Sequence, residues 1–465
     1  MHKLLTPITR TDSYKASHFL QYPEGATRVS SYIEPRGGEF DEVVFFGLQA
    51  FIKEYLMTPV THEDVQAASK LFEAHGMPFN YEGWMQIASL PNGKLPIEIK
   101  ALPEGTVTQP GIPQVQVVNT DPRFPWLTSY VETAMLRAVW YPSTVASLSR
   151  KAKKVIYAGL AMTADDPDAE IGFKLHDFGA RGATCSEAAM LGGLGHLVNF
   201  MGTDTVEALI GAMSYYNADG PVGFSIPATE HSTVTSWGRD GELDMFRNLL
   251  EKHPTGLVAC VSDSYNVFKA TREYWGKELK DVVLAREGAL VVRPDSGDPT
   301  TMPLDIIDIL MEQFGYTVNS KGYKVLPDQV RVIQGDGMTV ETLTRLCMNA
   351  MERKISISNF AMGMGGGLLQ KVDRDTCKYA MKANAVEVDG VWLDVYKDPI
   401  TDQGKKSKRG RQAVLLIDGE YVPRRIDDIP TNMGHGIADQ LRTVYLDGVL
   451  KVDDDFETIR QRAAI

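Results

Sequence analysis

Phe173-Lys174-Leu175-His176-Asp177-Phe178-Gly179 is a short apolar run cut off by charged and glycine residues, and the same device recurs six more times before residue 368. The later stops read Gly202-Thr203-Asp204, Pro227-Ala228-Thr229-Glu230-His231, Ser262-Asp263-Ser264, Arg293-Pro294-Asp295-Ser296-Gly297, Gln334-Gly335-Asp336-Gly337 and Gly363-Met364-Gly365-Gly366-Gly367. From Asp177 through Asp204, Glu230, Asp263, Asp295 and Asp336 to Gly365 the intervals are 27, 26, 33, 32, 41 and 29 residues. Each is long enough for a strand, a crossover helix and two loops. This cadence predicts an α/β fold with a β/α barrel, whose strand ends converge on the rim where such barrels carry their chemistry.

Outward from this core the pattern changes. Residues 1–135 mix short β-type runs (28–33, 42–46, 114–118) with a helical stretch at 63–75 and a Pro91-Asn92-Gly93 turn. Residues 126–162 carry apolar positions at helical spacing, with Pro142 inside, and lead into the barrel. Beyond residue 375, β-type runs return (391–395, 413–417, 442–446), followed by a helix from Asp455. Asp389-Gly390, Asp418-Gly419 and Asp447-Gly448 are hairpin turn pairs. The expected division is a catalytic barrel at 136–375 and an α/β sheet module formed by 1–135 together with 376–465.

At 465 residues the chain exceeds what one core holds, and 43% hydrophobic with 23% charged residues is ordinary for a soluble globular protein. A net charge of −12 argues against non-specific binding to nucleic acid or anionic membrane. Cys185, Cys260, Cys347 and Cys377 form no paired motif, which suits reduced thiols in a cytoplasmic protein. The first twenty residues lack a signal-peptide core, and no apolar run approaches the roughly 18 residues of a membrane span. Zinc is disfavoured because neither HExxH nor a cysteine pair occurs.

The stops suggest chemistry. The glycine cluster at 363–367 stands where a strand turns into a helix, so its backbone N–H groups could close on a phosphate or ribose at the helix N-terminus, where the dipole favours negative charge; a tight packing turn is the plainer reading. It matches neither a Walker loop nor a dinucleotide fingerprint. Arg293 and Asp295 are two apart and fall on one side of an extended chain, fit to grip a phosphorylated sugar or to pair with each other. Asp336 adds a second acid. His231, beside Glu230 and two hydroxyls, is the leading histidine for acid-base work or phosphate acceptance, although a lone histidine is more often structural. His176 with Asp177 is a weaker pair that could simply fix a loop. The basic run Lys397, Lys405, Lys406, Lys408, Arg409, Arg411 is a solvated loop or a polyphosphate contact.

These blocks, with Thr11-Asp12-Ser13-Tyr14-Lys15 before them and Leu368-Leu369-Gln370-Lys371 after, resemble the nicotinamide phosphoribosyltransferase family over nearly the whole chain. The resemblance implies an irregular β/α barrel with a second α/β module built from both chain termini, in a homodimer with active sites at the interface. The implied reaction joins nicotinamide to 5-phosphoribosyl 1-pyrophosphate, giving nicotinamide mononucleotide and pyrophosphate. Phe178 and the other subunit's Tyr14 would sandwich the pyridine ring, and Asp204 would accept the carboxamide N–H. Arg181, Arg293, Asp295, Gly335, Asp336, Gly365 and Gly366 would hold ribose and phosphates, with Arg36, Arg374, Lys382, Lys397 and Lys405 adding cationic contacts. His231, oriented by Asp263, would take a phosphoryl group from ATP, and Mg²⁺ would arrive with pyrophosphate. Ala180 and Ala380 stand where animal members carry tyrosine and serine, and the stretch 37–41 is shorter than theirs. Competing readings are a nicotinate phosphoribosyltransferase, a barrel hydrolase and a non-catalytic nucleotide-binding protein.

Overall fold

In the computed structural model, which describes residues 5–401, 405–429 and 438–464, the apolar runs ahead of the stops become parallel strands. Among the described residues a six-stranded parallel sheet runs in the order Gly202–Thr203, Leu175–Asp177, Phe360–Met364, Val330–Gln334, Leu290–Arg293, Val258–Val261. Val258, Leu290, Val292, Val330, Val332 and Met362 are fully buried, as expected where helices cover a parallel sheet. The two outer strands meet through residues 224–228. Phe224 bridges Gly202 and Ala228 bridges Ala259, both in parallel. Thr203 N–H donates to the Phe224 carbonyl at 3.0 Å and Thr229 N–H to the Ala259 carbonyl at 3.0 Å. This irregular stave closes the sheet into a barrel, so each of the seven stops follows one stave.

Helices Ser186–Leu197, Glu242–Lys252, Met302–Phe314 and Val340–Glu352 supply crossovers. The 41-residue interval is longest because it also holds an antiparallel hairpin, Thr317–Val318 with Lys324–Val325. Inside the barrel, Ala259, Val291 and Ile333 form a small apolar core, with Phe178, Ile226 and Ala361 packed on it. One compact unit comprises Leu148–Ile210 and Gly220–Val372, and holds the barrel.

The other unit draws on Met1–Ser147, Gly211–Asp219 and Asp373–Ala464. Its main sheet runs Val391–Asp394, Ala380–Val388, Ala26–Glu34, Val115–Asn119, Ile97–Ala101, Arg442–Leu446, Val449–Leu450, so three strands from the N-terminal part of the chain are flanked on each side by strands from the C-terminal part. The aspartate-glycine turns all join antiparallel neighbours. Each aspartate and the glycine after it take positive φ, for example 50° and 81° at Asp389-Gly390. That geometry matches the right-handed twist of the flanking strands. The terminal helix Phe456–Arg462 starts where Asp455 accepts a hydrogen bond from Thr458 N–H at 2.9 Å.

Candidate active site

Phe178 leaves the strand Leu175–Asp177 with its N–H donated to the Met364 carbonyl at 3.0 Å, which swings its ring over the barrel interior. Space for that ring exists only because its neighbours lack side chains. A Cβ on Gly363 would lie 2.0 Å from Phe178 Cε2, and one on Gly335 would lie 3.2 Å away. The Arg293 guanidinium sits 5.3 Å from the ring centroid. Asp177 anchors the turn beneath. Its buried carboxylate accepts from Gly179 N–H at 2.7 Å, from Thr205 Oγ1 at 2.7 Å and from Thr203 Oγ1 at 3.3 Å. Burial pushes its carboxyl above the usual aspartate range despite those hydrogen bonds.

Asp204 follows the next stave. His176 Nε2 lies 3.1 Å from its Oδ1, and Ser225 Oγ donates to the same oxygen. Burial opposes ionisation, yet the hydrogen bonds from His176 and Ser225 and the charges of His176 and Arg293 hold this carboxyl below the usual range. The expected His176–Asp177 pairing is corrected here. Neighbouring residues on a strand face opposite sides, so His176 reaches across to the adjacent stave while Asp177 turns to the threonines.

Further round the rim, His231 opens the short helix His231–Thr235, with Nε2 3.0 Å from Asp263 Oδ1 and Nδ1 4.0 Å from Asp295 Oδ2. Ser296 Oγ donates to Asp263 Oδ2 at 2.5 Å, so both oxygens of that buried carboxylate are engaged. Arg293 donates to Asp295 Oδ1 through Nε at 2.9 Å and Nη2 at 2.7 Å. The two side chains thus grip each other. Gln334 Nε2 donates to the Asp336 carbonyl at 2.9 Å, while the exposed Asp336 carboxylate meets no partner among the described residues. Gly365 precedes a helix of only four residues, Gly366–Leu369, too short for the macrodipole argument made from sequence. Open space at Gly366 remains: a Cβ there would meet nothing within 4 Å. Arg181 is exposed on the turn Ala180–Gly182.

The remaining candidates lie in the sheet unit. Tyr14 is exposed on the helical turn Ser13–Leu20, edge-on to His18 at 5.2 Å. Neighbouring Lys15 is buried and paired with Glu132 at 2.8 Å. Burial lowers the Lys382 ammonium from its usual range; Glu132 opposes this, while the nearby charges of Arg36, Lys397 and Arg374 add to it. Four of the cations named from sequence are therefore clustered. Arg36 is braced by Glu34 at 3.5 Å and Arg374 by Asp375 at 2.9 Å.

Residues 173–449 match the nicotinate phosphoribosyltransferase (NAPRTase) family, and residues 7–99 match the nicotinamide phosphoribosyltransferase N-terminal domain. A protein of Xanthomonas campestris pv. campestris named nicotinamide phosphoribosyltransferase is 48% identical, covering 100% of this chain and 99% of the relative. The chain belongs to the nicotinamide phosphoribosyltransferase family. A second protein of that name, from Acinetobacter baylyi, is 33% identical over 99% of this chain and 97% of its own length. The fold is shared more widely. Human nicotinic acid phosphoribosyltransferase superposes with a TM-score of 0.63 at 18% identity, covering 97% of this chain and 92% of that one. A nicotinate-nucleotide pyrophosphorylase from Pyrococcus furiosus gives 0.58 at 16%, covering 97% and 93%.

Within this family architecture, sequence reasoning missed His176 as a partner of Asp204, and it missed Ser225 and Ser296. The usable signal was Gly202: a Cβ there would lie 2.7 Å from His176 Nδ1, so the glycine marks the imidazole's seat.

Proposed function

We propose that this chain transfers a phosphoribosyl group from 5-phosphoribosyl 1-pyrophosphate to nicotinamide, releasing nicotinamide mononucleotide and pyrophosphate. The observation that carries this reading is the Xanthomonas relative's full-length 48% identity. The rim supports it, bringing Phe178, Asp204 and Arg293 to one end of one barrel. The pyridine nitrogen already holds a free lone pair, so no general base is needed, and the barrier lies in breaking the anomeric bond to pyrophosphate. Arg293 and Asp295, on exchanging their mutual pair for ribose and phosphate contacts, would fix the anomeric carbon about 3 Å from that nitrogen. As the ring becomes a pyridinium, its stacking on Phe178, and on Tyr14 of a second subunit, favours the cation by about 0.5–2 kcal/mol. The unpaired Asp336 carboxylate suits a hard oxygen-seeking cation. Mg²⁺ bound with pyrophosphate would neutralise charge on the leaving group.

ATP use belongs to the same reading. His231 Nε2 faces Asp263, which assigns to Nδ1, on the exposed side chain and 4.0 Å from Asp295 Oδ2, the role of phosphoryl acceptor. A homodimer would bring Tyr14, Arg36, Arg374, Lys382, Lys397 and Lys405 to the partner's barrel. The four cysteines, all unpaired, agree with a cytoplasmic setting. The test is direct: purified protein with nicotinamide, phosphoribosyl pyrophosphate and Mg²⁺, with and without ATP, should form the mononucleotide. No product, or faster turnover of nicotinate, would overturn the assignment.

A further inference from the structure

We infer that His176 and Ser225 are positioning residues for base selection: both donate to Oδ1 of Asp204, which reserves Oδ2 as the acceptor presented to a carboxamide. This rests on the reading of Asp204 given above and adds the residues that orient it. His176 Nε2 lies 3.1 Å from Oδ1, Ser225 Oγ donates to the same atom, and no described residue engages Oδ2. An isolated aspartate can exchange its two oxygens by rotation about its terminal torsion, which is broad and two-fold. Two donors fixed on one oxygen remove that freedom and keep the carboxylate ready to accept from outside.

The donors are themselves constrained. The imidazole occupies the space that a Cβ on Gly202 would fill, and its ring centroid lies 4.9 Å from that of Phe178. No described residue hydrogen-bonds Nδ1, and the contact with Asp204 requires a proton on Nε2. Ser225 comes from the irregular stave, so Asp204 is held from both flanks. Residues 176 and 178 lie on one continuous stretch, which fixes the stacking surface and the carboxamide acceptor relative to each other. A nicotinate carboxylate brought to Oδ2 would meet a like charge and offer no proton, whereas an amide supplies one.

The test compares full-length wild type with His176→Leu, His176→Gln, Ser225→Ala and Asp204→Ala, measuring kcat and KM for nicotinamide, nicotinate and phosphoribosyl pyrophosphate. His176→Leu should lower the nicotinamide-to-nicotinate ratio of kcat/KM by about 10- to 100-fold, mostly through the nicotinamide KM, with the phosphoribosyl pyrophosphate KM within about twofold. His176→Gln, which can donate from near the Nε2 position, should recover most of the ratio. Ser225→Ala should cost about fivefold, and its exposed position keeps the test available if loss of the imidazole prevents folding. Adding His176→Leu to Asp204→Ala should change the ratio no further. If Asp204→Ala collapses the ratio while His176→Leu and Ser225→Ala leave it intact, or if both bases lose equally, the positioning role is wrong. If Asp204→Ala itself leaves the ratio unchanged, the underlying reading of Asp204 falls and takes this inference with it.

Discussion

Two histidine-aspartate pairs on the same rim use the same atoms at nearly the same distance, 3.1 Å for His176–Asp204 and 3.0 Å for His231–Asp263, yet they are buried in opposite senses. In the first pair the histidine side chain is 14% exposed and the aspartate 49%; in the second the histidine is 47% exposed and the aspartate 5%. On the function proposed above, the hidden partner would orient and the open partner would meet the ligand. One arrangement therefore presents a carboxylate able to accept a proton donor, and the other presents an imidazole nitrogen able to accept a phosphoryl group. Identical residue types reach different chemistry through which of them the fold covers.

The sharpest way to break this contrast is to remove each open partner in turn. His231→Ala should abolish ATP stimulation and all phosphoryl labelling of the protein from γ-labelled ATP, with some basal turnover persisting. Asp204→Ala should lower the nicotinamide-to-nicotinate ratio of kcat/KM by about 100-fold and leave labelling intact. If the two variants exchange phenotypes, the contrast is void. A smaller effect comes from the hidden member of the second pair: Asp263→Asn keeps the shape but weakens orientation, and should slow labelling about tenfold in rapid-quench measurements. Phe178→Leu should raise the KM for both bases about five- to tenfold without altering their ratio, which separates stacking from selection.

The smallest effect is on pH dependence. Asp204 is held below the usual aspartate range, so the ionised form it contributes is fully present above that range and is lost only as pH falls through the depressed value. The base ratio should therefore stay flat between about pH 6 and 8. An inflection within that window in competition assays would overturn the assignment of control to an ionised Asp204.

Much of this was legible from sequence because barrel strands are short and apolar and stop abruptly. Asp177, Asp204, Asp263, Asp295, Asp336 and Gly365 each stand at or just beyond a strand end, and Glu230 follows the stave 224–228. The turns at Asp389, Asp418 and Asp447 were equally plain, since aspartate-glycine pairs tolerate the positive φ such hairpins need. The strand Ile97–Ala101 went unread although its burial alternates cleanly. What sequence hid was lateral. That His176 pairs with Asp204, 28 positions away, depends on which staves are neighbours, whereas the pairing of Arg293 with Asp295, two positions apart, was one of the two readings the sequence offered. At the glycine cluster only the dipole part of the reading fails, because a four-residue helix cannot supply the field that a full helix would.

The closing stave has a thermal consequence. Residues 224–228 are tied to each flank by an isolated bridge, where the other strands share longer ladders, so local opening costs least there. Ser225 rides on that segment. On warming, the wall that restrains Asp204 should loosen while the rest of the barrel stays shut, and the protein would become less choosy about its base before it becomes inactive.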